Sequence, residues 1–185
     1  MKTAMKTVIY LRAAVVALAL AVSASAGAQI RTYSDIDSES FVIGLDQYYF
    51  GEAGSLAFKV GTMSCRAEIA PSGVILGAGR GMMELELEDG DVIVGIHDFT
   101  GDNLPEAVAA VRTPDAIIFH VYKLEQGTWI PIGRIGATGE GVTEVRVFRQ
   151  AVTIRDKKAG ALYTWTFHGD KFDFKSSSGK NDPTP

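Results

Sequence analysis

Residues 82–97 read MMELELEDGDVIVGIH, and this stretch determines the fold class that we expect. Met83, Leu85 and Leu87 occupy every second position, and glutamates fill most positions around them. Such alternation is typical of a β-strand with one buried and one solvated face. Asp89-Gly90 predicts a tight turn, because glycine accepts the positive φ that hairpin turns require. The apolar run 92–96 then returns, so the stretch predicts a β-hairpin.

Short apolar runs separated by turn residues continue through the rest of the chain. Turn signals recur about every 8–12 residues, which favours an all-β domain of antiparallel sheets in a sandwich or a propeller-like arrangement. The predicted strands, about 10–12 short ones, are 41–44, 55–60, 73–77, 82–88, 92–97, 106–112, 116–124, 128–135, 143–148, 151–155, 161–167 and 171–174. Residues 45–54 are predicted to form one short helix.

A second hairpin is predicted near the C-terminus. Tyr163, Trp165 and Phe167 alternate with threonines, and Gly169-Asp170 turns the strand back into residues 171–174. Alternating aromatic side chains are what a β core needs, so core packing is the favoured interpretation. The other interpretation is an exposed ring face that stacks on sugars or on a partner protein.

The first 28 residues have the pattern of a cleavable secretory signal peptide. Lys2, Lys6 and Arg12 precede ten apolar residues, 13–22, and small residues follow up to Ala28. The apolar run is well short of the roughly 20 residues that cross a bilayer, and no later run is long enough either. We therefore expect a periplasmic or secreted protein with a disordered linker at 29–40, an all-β domain at 41–174 and a disordered tail at 175–185.

Charge and cysteine content limit the classes of partner. Without residues 1–28 the net charge would change from −4 to −7, because only positive charges are removed. An acidic chain argues against nucleic acid or an anionic membrane, and it suits a cation or a basic protein. Cys65 is the only cysteine, so no intrachain disulfide forms, and a buried apolar role is favoured over a reactive thiol.

The loop at residues 98–106, DFTGDNLPE, carries the clearest chemical signal. With Asp98 as position 1, side-chain oxygens fall at positions 3, 5 and 9, and position 7 offers a backbone carbonyl. Calcium takes six to eight oxygen ligands, and a chain that wraps around it presents alternate residues inward. The predicted calcium ligands are Asp98, Thr100, Asp102, Leu104 and Glu106, in a structural site.

Two further positions refine this prediction. Asn103 stands where calcium loops turn sharply, and asparagine is among the few residues that tolerate left-handed backbone. Position 12 is Ala109, so the bidentate glutamate of an EF-hand is missing, and the loop joins strands rather than helices. The alternative is a polar turn without metal, in which Asp98 and Asp102 cap backbone N–H groups.

The loop and the strands around it resemble the D-x-[DNT]-G-D-G-x-x-[DE] loop of FG-GAP/VCBS-type repeats. The ligand positions of that family are occupied here by Asp98, Thr100, Asp102 and Glu106. Two residue types differ from the usual ones: Thr100 replaces an Asp or Asn, and Asn103 replaces the Gly. This chain carries the motif once, while FG-GAP propellers repeat it. The resemblance implies a calcium-binding β domain, and the two departures imply weaker binding.

The single motif, followed by the aromatic hairpin, resembles small periplasmic β proteins of the lysozyme-inhibitor and immunity type. This second resemblance implies a non-enzymatic binding protein that recognises another envelope protein. A carbohydrate- or surface-binding module of FG-GAP type is the first alternative, and an envelope hydrolase is the second.

Catalytic signals are weak in this sequence. His97, His120 and His168 have no metal-ligand partner at local spacing, and no nucleophile motif is present. The glycines of residues 77–81 lack the strand–turn–helix context of a phosphate loop, so they predict a turn. The acidic residues at 84–91 predict a solvated face more readily than a cation site.

Overall fold

A computed structural model describes residues 41–178, with side chains described up to residue 175, and this part of the chain is all-β. It contains fourteen strands and no helix. The strands are β1 (Val42–Ile43), β2 (Gln47–Phe50), β3 (Gly54–Val60), β4 (Met63–Ala70), β5 (Gly73–Ala78), β6 (Gly81–Leu85), β7 (Asp91–His97), β8 (Glu106–Arg112), β9 (Ala116–Glu125), β10 (Thr128–Thr138), β11 (Val142–Phe148), β12 (Ala151–Asp156), β13 (Ala161–His168) and β14 (Lys171–Ser178). The all-β prediction is confirmed.

Three antiparallel meanders follow one another along the chain and form three sheets. The N-terminal sheet has the order β3-β4-β5-β6. The central sheet has the order β10-β9-β8-β7-β2, and the C-terminal sheet has the order β1-β11-β12-β13-β14. β1 pairs in parallel with β11, and the other pairs described are antiparallel.

The central sheet is buried on both faces, which makes the domain a three-layered sandwich. Ile93, Val108 and Phe119 contribute to one core, shared with the C-terminal sheet. Val94 and Ala109 point the other way, into a second core shared with the N-terminal sheet. A strand covered on both faces needs apolar residues at every position, which accounts for the uninterrupted runs in β7 and β8.

Residues 41–50 form a strap that ties two of the sheets together. Phe41, Leu45 and Tyr48 are each only 2 % exposed and lie in the core of the central and C-terminal sheets. The helix predicted at 45–54 is wrong, because Gln47–Phe50 pairs with β7 at the edge of the central sheet. The ladder hydrogen bonds along that edge outweigh the weak local preference for helix.

The predicted hairpin around Asp89-Gly90 is also wrong, although its burial pattern is correct. Leu85 is buried and Glu84 and Glu86 are exposed, as the alternation requires. However, β6 pairs with β5 in the N-terminal sheet, whereas β7 belongs to the central sheet. Gly90 therefore lies in a crossing between two layers. The sequence turn signal is real, but it does not determine which strands pair.

Two other differences concern strand limits. The sequence did not predict β4 (Met63–Ala70), because Cys65 and Ala67 on its buried face are small and give only a weak alternation of hydrophobicity. β14 continues to Ser178, so residues 175–178 belong to a strand and not to the predicted tail. The hairpin of β13 and β14 pairs as predicted. The signal peptide and the linker at 29–40 lie outside the described residues.

Candidate functional site

The loop between β7 and β8 is anchored by one buried aromatic ring. Phe99 is fully buried, and its ring centre lies 5.8 Å from that of Phe172 and 6.0 Å from that of Phe119. The His97 ring packs edge-on against it at 4.8 Å. The second residue of the loop is thus part of the core, which fixes the loop against the end of the sandwich.

Two aspartates organise the exposed part of the loop. Asp98 accepts hydrogen bonds from the backbone N–H groups of Gly101 at 2.7 Å and Asn103 at 3.0 Å. Asp102 accepts one from the N–H of Leu104 at 2.9 Å. Asn103 has a φ of 65°, so the expectation that this position adopts left-handed backbone is confirmed. The backbone is held by its own carboxylates in the manner of the polar turn foreseen from the sequence.

Glu106 is the deepest carboxylate of the loop, at 1 % exposure. Its Oε2 accepts hydrogen bonds from the N–H groups of Phe99 at 2.8 Å and Thr100 at 3.2 Å. Its Oε1 lies 3.1 Å from the Thr100 hydroxyl, which donates to it. Burial raises the pKa of this carboxyl, and the hydrogen bonds partly oppose that shift. Glu106 therefore closes the loop from inside.

A lysine from a distant strand supplies the positive charge beside the loop. Lys123, on β9, places its Nζ 3.0 Å from Oδ2 of Asp102. This hydrogen bond raises the pKa of Lys123. On the other side, the Gln150 side-chain amide donates to the Thr100 carbonyl at 3.0 Å. Sequence reasoning missed both residues, because only the tertiary fold brings them to the loop.

The loop offers the oxygen chemistry that calcium prefers. Asp98, Asp102 and Glu106 give three carboxylates, Thr100 gives a hydroxyl, and Leu104, which is 40 % exposed, has a backbone carbonyl to add. As placed, no three Asp, Glu, His or Cys side chains of the described residues converge on one metal position. Oε2 of Glu106 already accepts two hydrogen bonds, whereas its Oε1 and the oxygens of Asp98 and Asp102 each keep a second lone pair beyond the one hydrogen bond they accept. The donor set thus fits a hard cation, provided that side chains shift towards it.

An aromatic cleft lies between the central and C-terminal sheets. It encloses about 430 Å³. Its lining residues are Ile118, Arg134, Ile135, Gly136, Ala137, Thr138, Tyr163, Trp165 and Phe174. The rings of Tyr163 and Phe174 are nearly parallel, at 17°, with centres 6.4 Å apart. The ring centre of Trp165 lies 5.0 Å from that of Phe174.

The aromatic face predicted at 163–167 is partly buried in the core and partly exposed in this cleft. Trp165 and Phe167 are buried at 9 % and 6 % exposure, so core packing is confirmed for them. Tyr163 is only half-buried and lines the cleft. Phe174 is 55 % exposed, and sequence reasoning did not single it out. Its pairing opposite Trp165 was the available signal, since a hairpin register brings these two positions together.

The histidines are tied to carboxylates or carbonyls. His97 Nδ1 lies 3.3 Å from Asp46, and its Nε2 lies 3.2 Å from the Phe148 carbonyl. His120 Nε2 lies 3.3 Å from Glu88. Both histidines are at least nine-tenths buried, and each ring therefore serves packing and hydrogen bonding in the arrangement seen here.

Glu88 is the most strongly perturbed carboxylate of the described residues. Arg134 donates to it at 2.6 Å, and this hydrogen bond is the main reason that its pKa falls to about 2. Glu84, Glu86 and Asp89 line a separate groove of about 550 Å³ without a basic partner among the described residues. The acidic stretch at 84–91 is thus partly paired and partly solvated.

The two remaining sequence motifs are structural. Cys65 is 6 % exposed, and burial raises the pKa of its thiol, so the buried apolar role is confirmed. Gly79-Arg80 forms the turn between β5 and β6, as the glycine-rich stretch predicted. Within residues 41–178, no helix is both long and apolar enough to cross a bilayer.

Comparison with protein-family models, with curated proteins and with solved structures gave no match. The function therefore has to be argued from the residues of this chain alone.

Proposed function

We propose that this chain is an exported, non-enzymatic binding protein that recognises a partner protein in the periplasm or outside the cell. The aromatic cleft is the observation that carries the proposal. Phe174 exposes more than half of its surface there, beside Tyr163, and exposed rings in a concave site with a few polar groups, here Arg134 and Thr138, are typical of recognition surfaces. The lining contains no carboxylate, histidine or cysteine that would suit catalysis.

The edges of two sheets border this cleft and favour a polypeptide ligand. β10 pairs only with β9, and β14 pairs only with β13, among the described strands. An unpaired strand edge presents backbone N–H and C=O groups to which an extended segment can add, while neighbouring pockets take alternate side chains. The cleft would hold the apolar side chains of such a segment, and its backbone would pair with an edge. The acidic net charge of −4 favours a basic partner.

Affinity capture tests this proposal with two matched variants. Phe174→Ala removes a ring from the cleft, and Met82→Ala removes an exposed apolar side chain, at 70 %, from the N-terminal sheet. We expect the wild-type protein and Met82→Ala to retain the same partner from a native envelope fraction, and Phe174→Ala to lose roughly tenfold or more in affinity. Lysozyme, a basic cell-wall hydrolase, is the first purified partner to titrate. Equal retention by both variants would show that the cleft is not the binding site.

We further propose that the loop at 98–106 binds calcium in a structural role, through Asp98, Thr100, Asp102, Glu106 and the Leu104 carbonyl. The donor chemistry supports this, as does the buried Glu106 carboxylate, to which no basic residue of the described part of the chain is hydrogen-bonded. Asp102 would exchange the Lys123 ammonium for the ion. Outside the cytosol, free calcium is high enough to occupy a weak site.

Thermal melting of the purified protein tests the calcium proposal. A ligand that binds only the folded state raises its stability, by about 2.7 kcal/mol when its concentration is 100 times the dissociation constant. We expect a lower Tm in EDTA than in millimolar calcium, with magnesium giving a smaller increase because it dehydrates reluctantly. Superimposable curves in EDTA and calcium would exclude the site and favour Lys123 as the only cation of the loop.

A further inference from the structure

The outward surface of the C-terminal sheet combines basic, hydroxyl and aromatic side chains. We call it the basic face. Strand alternation assigns its members, since Val145, Ile154 and Trp165 point into the core and their neighbours point outward. The outward residues are Glu144, Arg146, Phe148, Ala151, Thr153, Arg155, Leu162, Thr164, Thr166, His168, Lys171, Asp173 and Lys175.

The register aligns these side chains in straight rows across four strands. Arg146 lies opposite Thr153, Thr153 opposite Thr164, and Thr164 opposite Lys175. Neighbouring strands are about 4.8 Å apart, so this row is roughly 14 Å long, with a cation at each end and two hydroxyls between them. A flat row of this kind suits an extended ligand better than a compact one.

Positive charge dominates the face. Four cations stand against two carboxylates, and one of these, Glu144, is already paired with Arg146 at 3.2 Å. The other, Asp173, lies 3.7 Å from His168. Arg155, Lys171 and Lys175 have no ion pair among the described residues. This local excess of cations contrasts with the net charge of −4 of the whole chain.

A shallow hollow of about 160 Å³ marks one end of the face. Its lining residues are Glu144, Arg146, Phe148, Thr153, Arg155 and Leu162. Phe148 is 52 % exposed, so it is accessible to a ligand at this end of the face. A ring beside guanidinium and hydroxyl groups can stack on the apolar side of a sugar while the polar groups bind its substituents.

We propose that the basic face binds an anionic polysaccharide whose sugars carry carboxylates. Guanidinium groups pair with carboxylates through two parallel hydrogen bonds, which assigns that role to Arg155. Lys175 binds a second carboxylate along the row, and Thr153 and Thr164 take sugar hydroxyls between them. A polysaccharide supplies charge, hydroxyl and apolar ring faces together, whereas duplex DNA presents mainly phosphates at high density, which the negative net charge of this chain repels.

Calorimetric titration of the full-length protein with polygalacturonate tests this proposal. The variant is Arg155→Gln/Lys175→Gln. Its matched control is Lys59→Gln/Arg66→Gln, which removes two cations from exposed positions of the N-terminal sheet. We expect wild type and control to bind, and the basic-face variant to bind roughly tenfold or more weakly with an unchanged Tm. Binding should also weaken as salt is raised.

Other polymers distinguish the chemistry of the ligand. Neutral dextran should not bind, since it offers no carboxylate to Arg155. The proposal is overturned if polygalacturonate does not bind, if both double variants bind it equally, or if duplex DNA or polyphosphate binds more tightly. Phe174→Ala should leave polygalacturonate affinity unchanged, which separates this surface from the aromatic cleft.

Discussion

Replacing Gly44 by alanine is expected to lower the free energy of unfolding by about 3–5 kcal/mol. Gly44 has a φ of +95°, which a residue with a Cβ adopts only at a cost. A Cβ built there would overlap the carbonyl oxygen of Val147, which belongs to the backbone and cannot rotate away. The strap would have to leave the C-terminal sheet, and Phe41 and Leu45 would lose part of their burial. Urea unfolding followed by tryptophan fluorescence measures the loss.

Gly61→Ala is the matched control for this prediction. Gly61 also has a positive φ, 59°, but no atom of the described residues lies within 4 Å of the position that its Cβ would take. Strain alone is expected to cost about 1 kcal/mol there. The difference between the two variants therefore measures the contact between strap and sheet. Similar losses for both would mean that the strap does not hold the sheets together.

The strands of this domain were readable from the sequence because their signals are local. β9, β12 and β13 begin and end close to the predicted limits, since alternation and turn residues act within a few positions. The pairing of strands was not readable in the same way. Asp89-Gly90 has the residues of a hairpin turn, yet it connects two layers, because β7 needs cover on both faces and finds it only in the central sheet.

The same difference between local and tertiary signals applies to the candidate sites. Asn103 was expected in left-handed geometry from its position in the loop, and it is found there. Lys123 and Gln150, which contact the same loop, are 21 and 50 positions away from their partners, and no local pattern identifies them. The cleft and the basic face arise from the packing and register of sheets, so they could be recognised only after the fold was known.

Substitutions of Glu106 distinguish a calcium-binding loop from a polar turn without metal. Glu106→Ala is expected to cost about 3–4 kcal/mol, because it leaves the N–H groups of Phe99 and Thr100 buried without an acceptor. Glu106→Gln keeps one oxygen for those N–H groups and can donate its amide to the Thr100 hydroxyl. It also removes a buried negative charge. Burial disfavours that charge and raises the pKa of the Glu106 carboxyl. In EDTA, the Gln variant should therefore be close to wild type in stability, while the Ala variant should not.

The response to calcium distinguishes Glu106→Gln from wild type, because the glutamine amide lacks the negative charge that favours binding of a divalent ion. If the proposed site exists, millimolar calcium should raise the Tm of wild type and of the exposed control Glu125→Gln, and should raise that of Glu106→Gln much less. A calcium response retained in full by Glu106→Gln would remove Glu106 from the ligand set. If wild type itself does not respond, the loop is a polar turn that Glu106 closes through hydrogen bonds alone, and the loss in Glu106→Ala measures that role. The three variants thus separate the structural contribution of this carboxylate from its contribution as a metal ligand.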